Sequence, residues 1–229
     1  MKRIIILGLV LLLASVSTVL ADDGYNNYGE VNQTGTNNFA YQEQGSSTYD
    51  TNIAYIDQYG TSNSASQYQV YSPPGGPNYA YKYQSGTGNV GYQTQIGHDN
   101  VALDYQIGYY NWDSQYQDGE SHYAYIYELG AYNWAAQEQY GAYNYATIYQ
   151  DGAYNGAYQV QWGAFNTADI YQSGVDNYAE QWQIGAFHYA QATQIGGPNN
   201  YSHQEQWNSS NTSYVNQSGQ GSYAYVYQY

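Results

Sequence analysis

A glutamine every 11 residues constrains this chain more than any other feature. Gln139, Gln150, Gln161, Gln172, Gln183 and Gln194 keep the period without interruption, and a fixed short period marks an array of like supersecondary units. Admitting one Glu and three longer loops, the series runs Gln33, Gln44, Gln58, Gln69, Gln84, Gln95, Gln106, Gln117, Glu128, those six, then Gln206, Gln217 and Gln228. These are 18 units between Asn27 and Tyr229. Each reads N-x-A-x-x-x-Q and then usually x-G-x-x, as in Asn144 to Tyr154. Seven residues of alternating character followed by a glycine turn predict a strand and a corner.

The alternation can be counted. Position 1 is Asn in 15 units, His at His122 and His188, and Ser at Ser222. Position 3 is Ala in 13 units and never holds a large side chain; position 7 is Gln in 17. Of the 35 Tyr, 24 lie at positions 2, 4 or 6 and none at an odd strand position. Successive side chains of a strand point to opposite faces, so the odd positions form an inward face of amides and Ala and the even ones an outward face rich in Tyr.

Position 5 carries a second period. Gln42, Gln67, Gln93, Gln115, Gln137, Gln159, Gln181 and Gln204 alternate with Ile56, Lys82, Asp104, Ile126, Ile148, Ile170, Ala192 and Val215. The repeat is therefore 22 residues, strand-turn-strand, and the expected fold is an all-β solenoid of two parallel sheets with about nine rungs, each rung about 4.8 Å high. A meander of antiparallel strands would not explain why alternate strands differ. Identical amides stacked at this spacing hydrogen-bond along the stack. The expected ladder residues include Asn38, Asn52, Asn133, Asn144, Asn155, Asn166 and Asn177 at position 1. At position 7 they include Gln44, Gln58, Gln139, Gln150, Gln161, Gln172, Gln183, Gln217 and Gln228. Gly two places after Gln suits a corner of positive φ, and Asn208 stands in for it once. The longer loops, Gly45 to Thr51, Val70 to Pro77 and Ile195 to Asn199, hold all four Pro, as a ladder requires.

Three smaller features follow from the register. Tyr83, Tyr105, Tyr127, Tyr149 and Tyr171 share one outward column, suited to sheet stacking, adhesion or oxidative crosslinking, or simply to an exposed strand. Lys82 and Asp104 fall inward one repeat apart and are expected to pair, since a lone buried charge is costly. Glu128 interrupts a Gln column, where a protonated carboxyl can mimic the amide, which suggests pH-tuned assembly.

Composition narrows the function. The 18 Asp and Glu against three Lys and Arg give a net charge of −15, so nucleic acid is an unsuitable partner. Residues 1–21 read as an export signal, with Lys2 and Arg3 before the apolar run Ile4 to Leu13 and small residues at Val19 and Ala21. Cleavage before Asp22 removes two bases and takes the charge from −15 to −17. Residues 22–26 then form a short N-terminal segment and 27–229 the repeat region. The mature chain has no second hydrophobic stretch for membrane insertion. With no Cys, neither disulfides nor thiolate metal sites contribute.

An exported chain of Q-x-G-x-x-N-x-A-x-x-x-Q units in 22-residue repeats, ending Val226-Tyr227-Gln228-Tyr229, resembles the curlin family, the subunits of bacterial curli amyloid fibres. The resemblance covers the chain from about Asn27 onward. It implies a secreted subunit, of major or nucleator type, that polymerises at the cell surface into functional amyloid of the biofilm matrix, its internal Asn, Ser and Gln supporting assembly. It also implies partners: a nucleator subunit, a periplasmic chaperone and an outer-membrane secretion pore. The chain departs from the family in having more repeats and only Asp22 to Asn26 before the first unit.

Self-assembly also follows without the resemblance, because the first and last units keep the strand pattern and leave ladder edges to recruit further copies. The alternative is a soluble monomeric solenoid using its Tyr-rich face on a surface or ligand, such as ice, although Thr147, Thr167, Thr193 and Thr212 do not form one column. No catalytic, cofactor-binding or metal-binding residue is expected. The outward acids Asp57, Glu138, Asp169 and Glu180 are scattered, His122 and His188 replace Asn in the inward row, His98 lies in a turn and His203 faces outward.

Overall fold

The computed structural model describes residues 7–11, 16–21, 27–46, 52–72 and 75–229. Lys2, Arg3, the 22–26 segment, and Pro73 and Pro74 lie outside them. Twenty strands, numbered in chain order from β1 (Leu7–Leu11) and β2 (Val16–Ala21) to β20 (Tyr223–Gln228), form two ten-stranded sheets, the odd strands in one and the even strands in the other. All pairing is parallel and links each strand to the one a repeat later, as between β11 (Tyr123–Ala131) and β13 (Tyr145–Ala153). The protein is thus an all-β solenoid of two-stranded rungs, and its strands from β3 (Tyr28–Thr36) to β20 are the 18 units of the sequence.

The interior is as narrow as the small residues at position 3 allow. Ala80, Ala102, Ala124, Ala146 and Ala168 are fully buried, and Ile126, Ile148 and Ile170 form an apolar strip between the sheets. A second, shorter strip holds Val31 and Ile56. Lys82 and Asp104 separate the two. Outward, Tyr, Trp and acidic side chains cover both faces, and many carboxylates accept hydrogen bonds from Tyr hydroxyls, as Glu138 does from Tyr140 (3.0 Å) and Tyr158 (2.9 Å).

Most of the repeat strands are longer than seven residues. Most run for nine, through the Gly, leaving a two-residue corner. The backbone ladder does not stop at the corner because each corner stacks on a like one: Tyr154 N–H donates to Ala131 C=O at 3.0 Å and Asp176 N–H to Ala153 C=O at 3.1 Å. Gly152 has φ of 122°, and a Cβ there would lie 2.0 Å from the Gly174 carbonyl oxygen. Glycine is needed for close approach as well as for dihedral freedom. A second left-handed residue just before position 1 is usually not glycine: Tyr110, Tyr132 and Tyr154 on one edge, and Tyr143, Phe165 and Phe187 on the other, have φ of 55 to 60°. Stacking offsets that strain, with ring centroids 4.9 to 5.3 Å apart.

Residues 7–11 and 16–21 contribute a layer that the repeat pattern does not contain. β1 pairs with β3, and β2 with β4 (Phe39–Ser46), so that an apolar rung lies over the first amide rung. A segment rich in Leu and Val is a good strand former, and an unpaired ladder edge is a template for one.

Candidate functional site: the amide ladders and their ends

Three glutamine columns run along the solenoid. In the even sheet, Gln44 Nε2 donates to Gln69 Oε1 (2.8 Å), and the column continues through Gln139, Gln161 and Gln183 to Gln206 and Gln228 (2.8 Å) without a break. A second even-sheet column runs at position 5 from Gln42 to Gln204. In the odd sheet, Gln33, Gln58, Gln84 and Gln106 lead to Glu128, and Gln150, Gln172, Gln194 and Gln217 continue beyond it. Up to the last rungs, where Gln204 Nε2 donates to Ser213 Oγ instead, the amides in these columns donate in the same direction, toward the next rung in sequence. Its other N–H crosses the core to a backbone carbonyl of the opposite sheet, as Gln161 Nε2 does to Tyr145 O at 2.9 Å. The glutamines therefore bind rung to rung and sheet to sheet.

The Asn row closes the corners. Asn144 Oδ1 accepts the backbone N–H of Asn166 (3.1 Å), while its Nδ2 donates to Tyr140 O and to Gly163 O. Asn38, Asn52, Asn133, Asn155, Asn166 and Asn177 accept the next backbone N–H in the same way. His122 imitates this pattern: Nδ1 accepts Asn144 N–H at 3.3 Å and Nε2 lies 3.3 Å from Asp118 O. The imidazole is neutral, because burial lowers its pKa to about 4. His188 repeats the arrangement with Asn211 and Ile184.

One group of charges lies in this interior. Lys82 and Asp104 are in register on β7 (Tyr79–Thr87) and β9 (Val101–Tyr109) and form an ion pair, with both side chains fully buried. Lys82 Nζ also donates to Asp113 Oδ1 at 2.7 Å, across the core on β10 (Trp112–Glu120). Gly91 makes the room: a Cβ there would lie 2.0 Å from Lys82 Nζ and 2.7 Å from the Asp113 carboxylate. Burial raises the Asp113 pKa to about 6 against the pull of Lys82, and burial pulls Lys82 down. Sequence reasoning missed Asp113 and Gly91 as members of this group. The signal was present, since Asp113 is the one acid at position 3 and Gly91 is its register partner.

On the outer face, Tyr127, Tyr149 and Tyr171 stack nearly parallel at 5.0 Å, while Tyr83, Tyr105 and Tyr127 continue the column with tilted rings 6.1 and 6.4 Å apart. Among the described residues no group of His, Cys, Asp and Glu has a metal-binding arrangement.

Residues 163–196 match the curlin associated repeat. No curated protein matches the chain. The matched stretch spans Gln172, Gln183 and Gln194 with their corner glycines, and the same geometry recurs in the rungs on either side. The protein therefore carries a curlin-like repeat in a β-solenoid with a Tyr-rich surface.

Proposed function

We propose that this protein is a secreted structural subunit that assembles end to end into curli-like extracellular amyloid fibres for matrix and surface adhesion. The observation that carries the reading is the 22-residue stack of one-directional amide ladders reaching the terminal strands, where β19 (Thr212–Ser218) and β20 are paired on one side only. A parallel edge paired on one side only recruits a like edge, and each added copy extends the same ladders. The role is structural and not catalytic. Export through residues 1–21 places assembly outside the cytoplasm, with a nucleator, a chaperone and a pore as accessory partners and no nucleic acid or membrane insertion. The Tyr columns supply the adhesive outer face.

Seeded growth tests this. The mature chain is expected to convert with a lag that preformed fibres abolish, followed by thioflavin fluorescence and electron microscopy. A chain that stays monomeric at high concentration, with or without seeds, favours the soluble solenoid instead.

A further inference from the structure

Position 2 of the repeat points outward and carries a side chain in every unit but one, where it is Gly156. Glycine weakens a strand interior, and where it occurs there it marks a bend, a bulge or the close approach of another group. Gly156 makes neither bend nor bulge. Its register is unbroken, with Trp134 in the rung before and Tyr178 in the rung after, and it lacks the positive φ of the corner glycines. A Cβ there would meet rings and not backbone: Tyr178 Cδ2 at 2.9 Å and Trp134 Cε3 at 3.9 Å. The missing side chain leaves a one-rung gap in an aromatic column.

The gap is a walled notch of about 360 Å³. Trp134 stacks on Trp112 (5.8 Å, 6°) and Tyr178 on Tyr201 (5.5 Å, 12°), so each leaves its other ring face toward the level of Gly156. Tyr158 approaches Trp134 at a tilt, 6.1 Å away, and does not line the notch. The corner column forms the adjoining wall, with Tyr132 and Tyr154 stacked at 5.0 Å and the exposed Asp176 beyond them. The two amides at the floor already have partners, since Asn155 Oδ1 accepts from Asn177 and Asn177 Oδ1 from Asn200. Four aromatic rings and one carboxylate thus surround a floor without a side chain.

We infer that this notch is a binding site for a small quaternary ammonium ion of the choline type. The face of a Trp or Tyr ring attracts a cation within about 6 Å of its centroid, and rings two rungs apart place a cation midway at about 5 Å from each. Asp176 and a chain of net charge −15 supply the complementary field. The alkyl groups matter as much as the charge. A bare ammonium brings three N–H donors, for which the notch holds one carboxylate and two engaged amides, whereas a trimethylammonium group donates nothing and fits apolar walls. The notch lies on the flank of the solenoid, so it stands whether or not the chain assembles into fibres.

Calorimetric titration of the full chain, soluble or assembled, with choline chloride tests this. One site per chain is expected, and the uncharged tert-butyl analogue of choline is expected to bind at least about tenfold more weakly, having no cation for the rings to attract. Gly156→Tyr restores the usual outward residue and is expected to keep the unfolding midpoint at or above that of the wild type while abolishing binding. Asp176→Asn keeps a residue that tolerates the left-handed corner and is expected to weaken binding about threefold to fivefold, as loss of an exposed charge pair does. Equal binding of the uncharged analogue overturns the cation site, and choline binding that survives Gly156→Tyr overturns its location. Capture of phosphatidylcholine vesicles without binding of free choline overturns the small ion as the ligand. No choline binding at all overturns the inference and leaves the fibre reading intact.

Discussion

Glu128 stands in register with Gln150, and Oε1 of each is buried without a donor. At every other step of that column an amide N–H lies between the two rungs. A carboxylate cannot take its place, because it only accepts. A carboxylic acid can: its O–H donates to Gln150 Oε1 while Oε2 keeps the bond from Gln106, at 3.0 Å. The charges around it agree. Burial first, and then the Asp113 carboxylate, hold the Glu128 carboxyl well above its usual range, against the bond from Gln106 and the attraction of Lys82. Lys82, Asp104, Asp113 and Glu128 together offer one positive and three negative groups to a fully buried interior. A buried net charge is costly, so protonation of the surplus carboxyls stabilises the fold.

The pH dependence follows from the direction of these shifts. Asp113 rises from 3.8 to about 6 on folding and Glu128 rises well above 4.5, so the folded chain holds protons that the unfolded chain releases. Their contribution is complete below the unfolded values and is lost as pH rises through the folded ones, at up to about 1.4 kcal/mol per pH unit for each proton. Denaturant midpoints are expected to fall from mildly acidic to neutral pH. Glu128→Gln restores the ladder without a proton, and is expected to flatten the fall and raise stability at neutral pH. A variant with the wild-type slope removes Glu128 from the account.

The Lys82 group is expected to behave as a unit. Lys82→Ile alone strands Asp104 and Asp113 without their cation and is expected to cost about 3 to 5 kcal/mol, as removing one partner of a buried pair does. Combining Lys82→Ile with Asp104→Ile and Asp113→Ala rebuilds the apolar strip of the neighbouring rungs, and is expected to recover that loss or exceed wild type. Gly91→Ala provides the control. It meets Lys82 Nζ and is expected to destabilise the wild type, yet to be tolerated in the triple variant, where the ammonium is gone. Equal costs in both backgrounds would show that the space at Gly91 has another purpose.

Periodicity made the fold legible because every unit repeats one solution: the 11-residue spacing of Gln139, Gln150 and Gln161 defines the strand, and the alternation at position 5 defines the pair of sheets. What the spacing could not show lies between units and across the core. Asp113 approaches Lys82 from the opposite sheet, a distance that no sequence period encodes. Tyr132 and Phe165 occupy left-handed corners against their intrinsic preference, because their stacked neighbours outweigh the local cost. The common direction of the glutamine donors depends on the orientation of each amide, which sequence leaves free and three-dimensional stacking fixes. The strand extension through Gly152 has the same origin, since the corner is held by its neighbours above and below.

The corner glycines separate the two reasons for a glycine. Gly152 and Gly219 have φ of 122° and 105°, so Ala carries a similar dihedral penalty at both, about 1 to 3 kcal/mol. Their surroundings differ. A Cβ at Gly152 meets the Gly174 carbonyl oxygen at 2.0 Å, whereas a Cβ at Gly219 has nothing within 4 Å. Gly152 O also accepts Asn133 Nδ2 at 3.2 Å, so a shift that relieves the clash also disturbs the Asn row. Gly152→Ala is therefore expected to cost clearly more than Gly219→Ala in equilibrium unfolding. Gly219 lies on the terminal rung, where the next copy's corner would stack in a fibre. Gly219→Ala is accordingly expected to be mild in the monomer and to raise the critical concentration for elongation, and an unchanged value would show that this corner stays open at the junction.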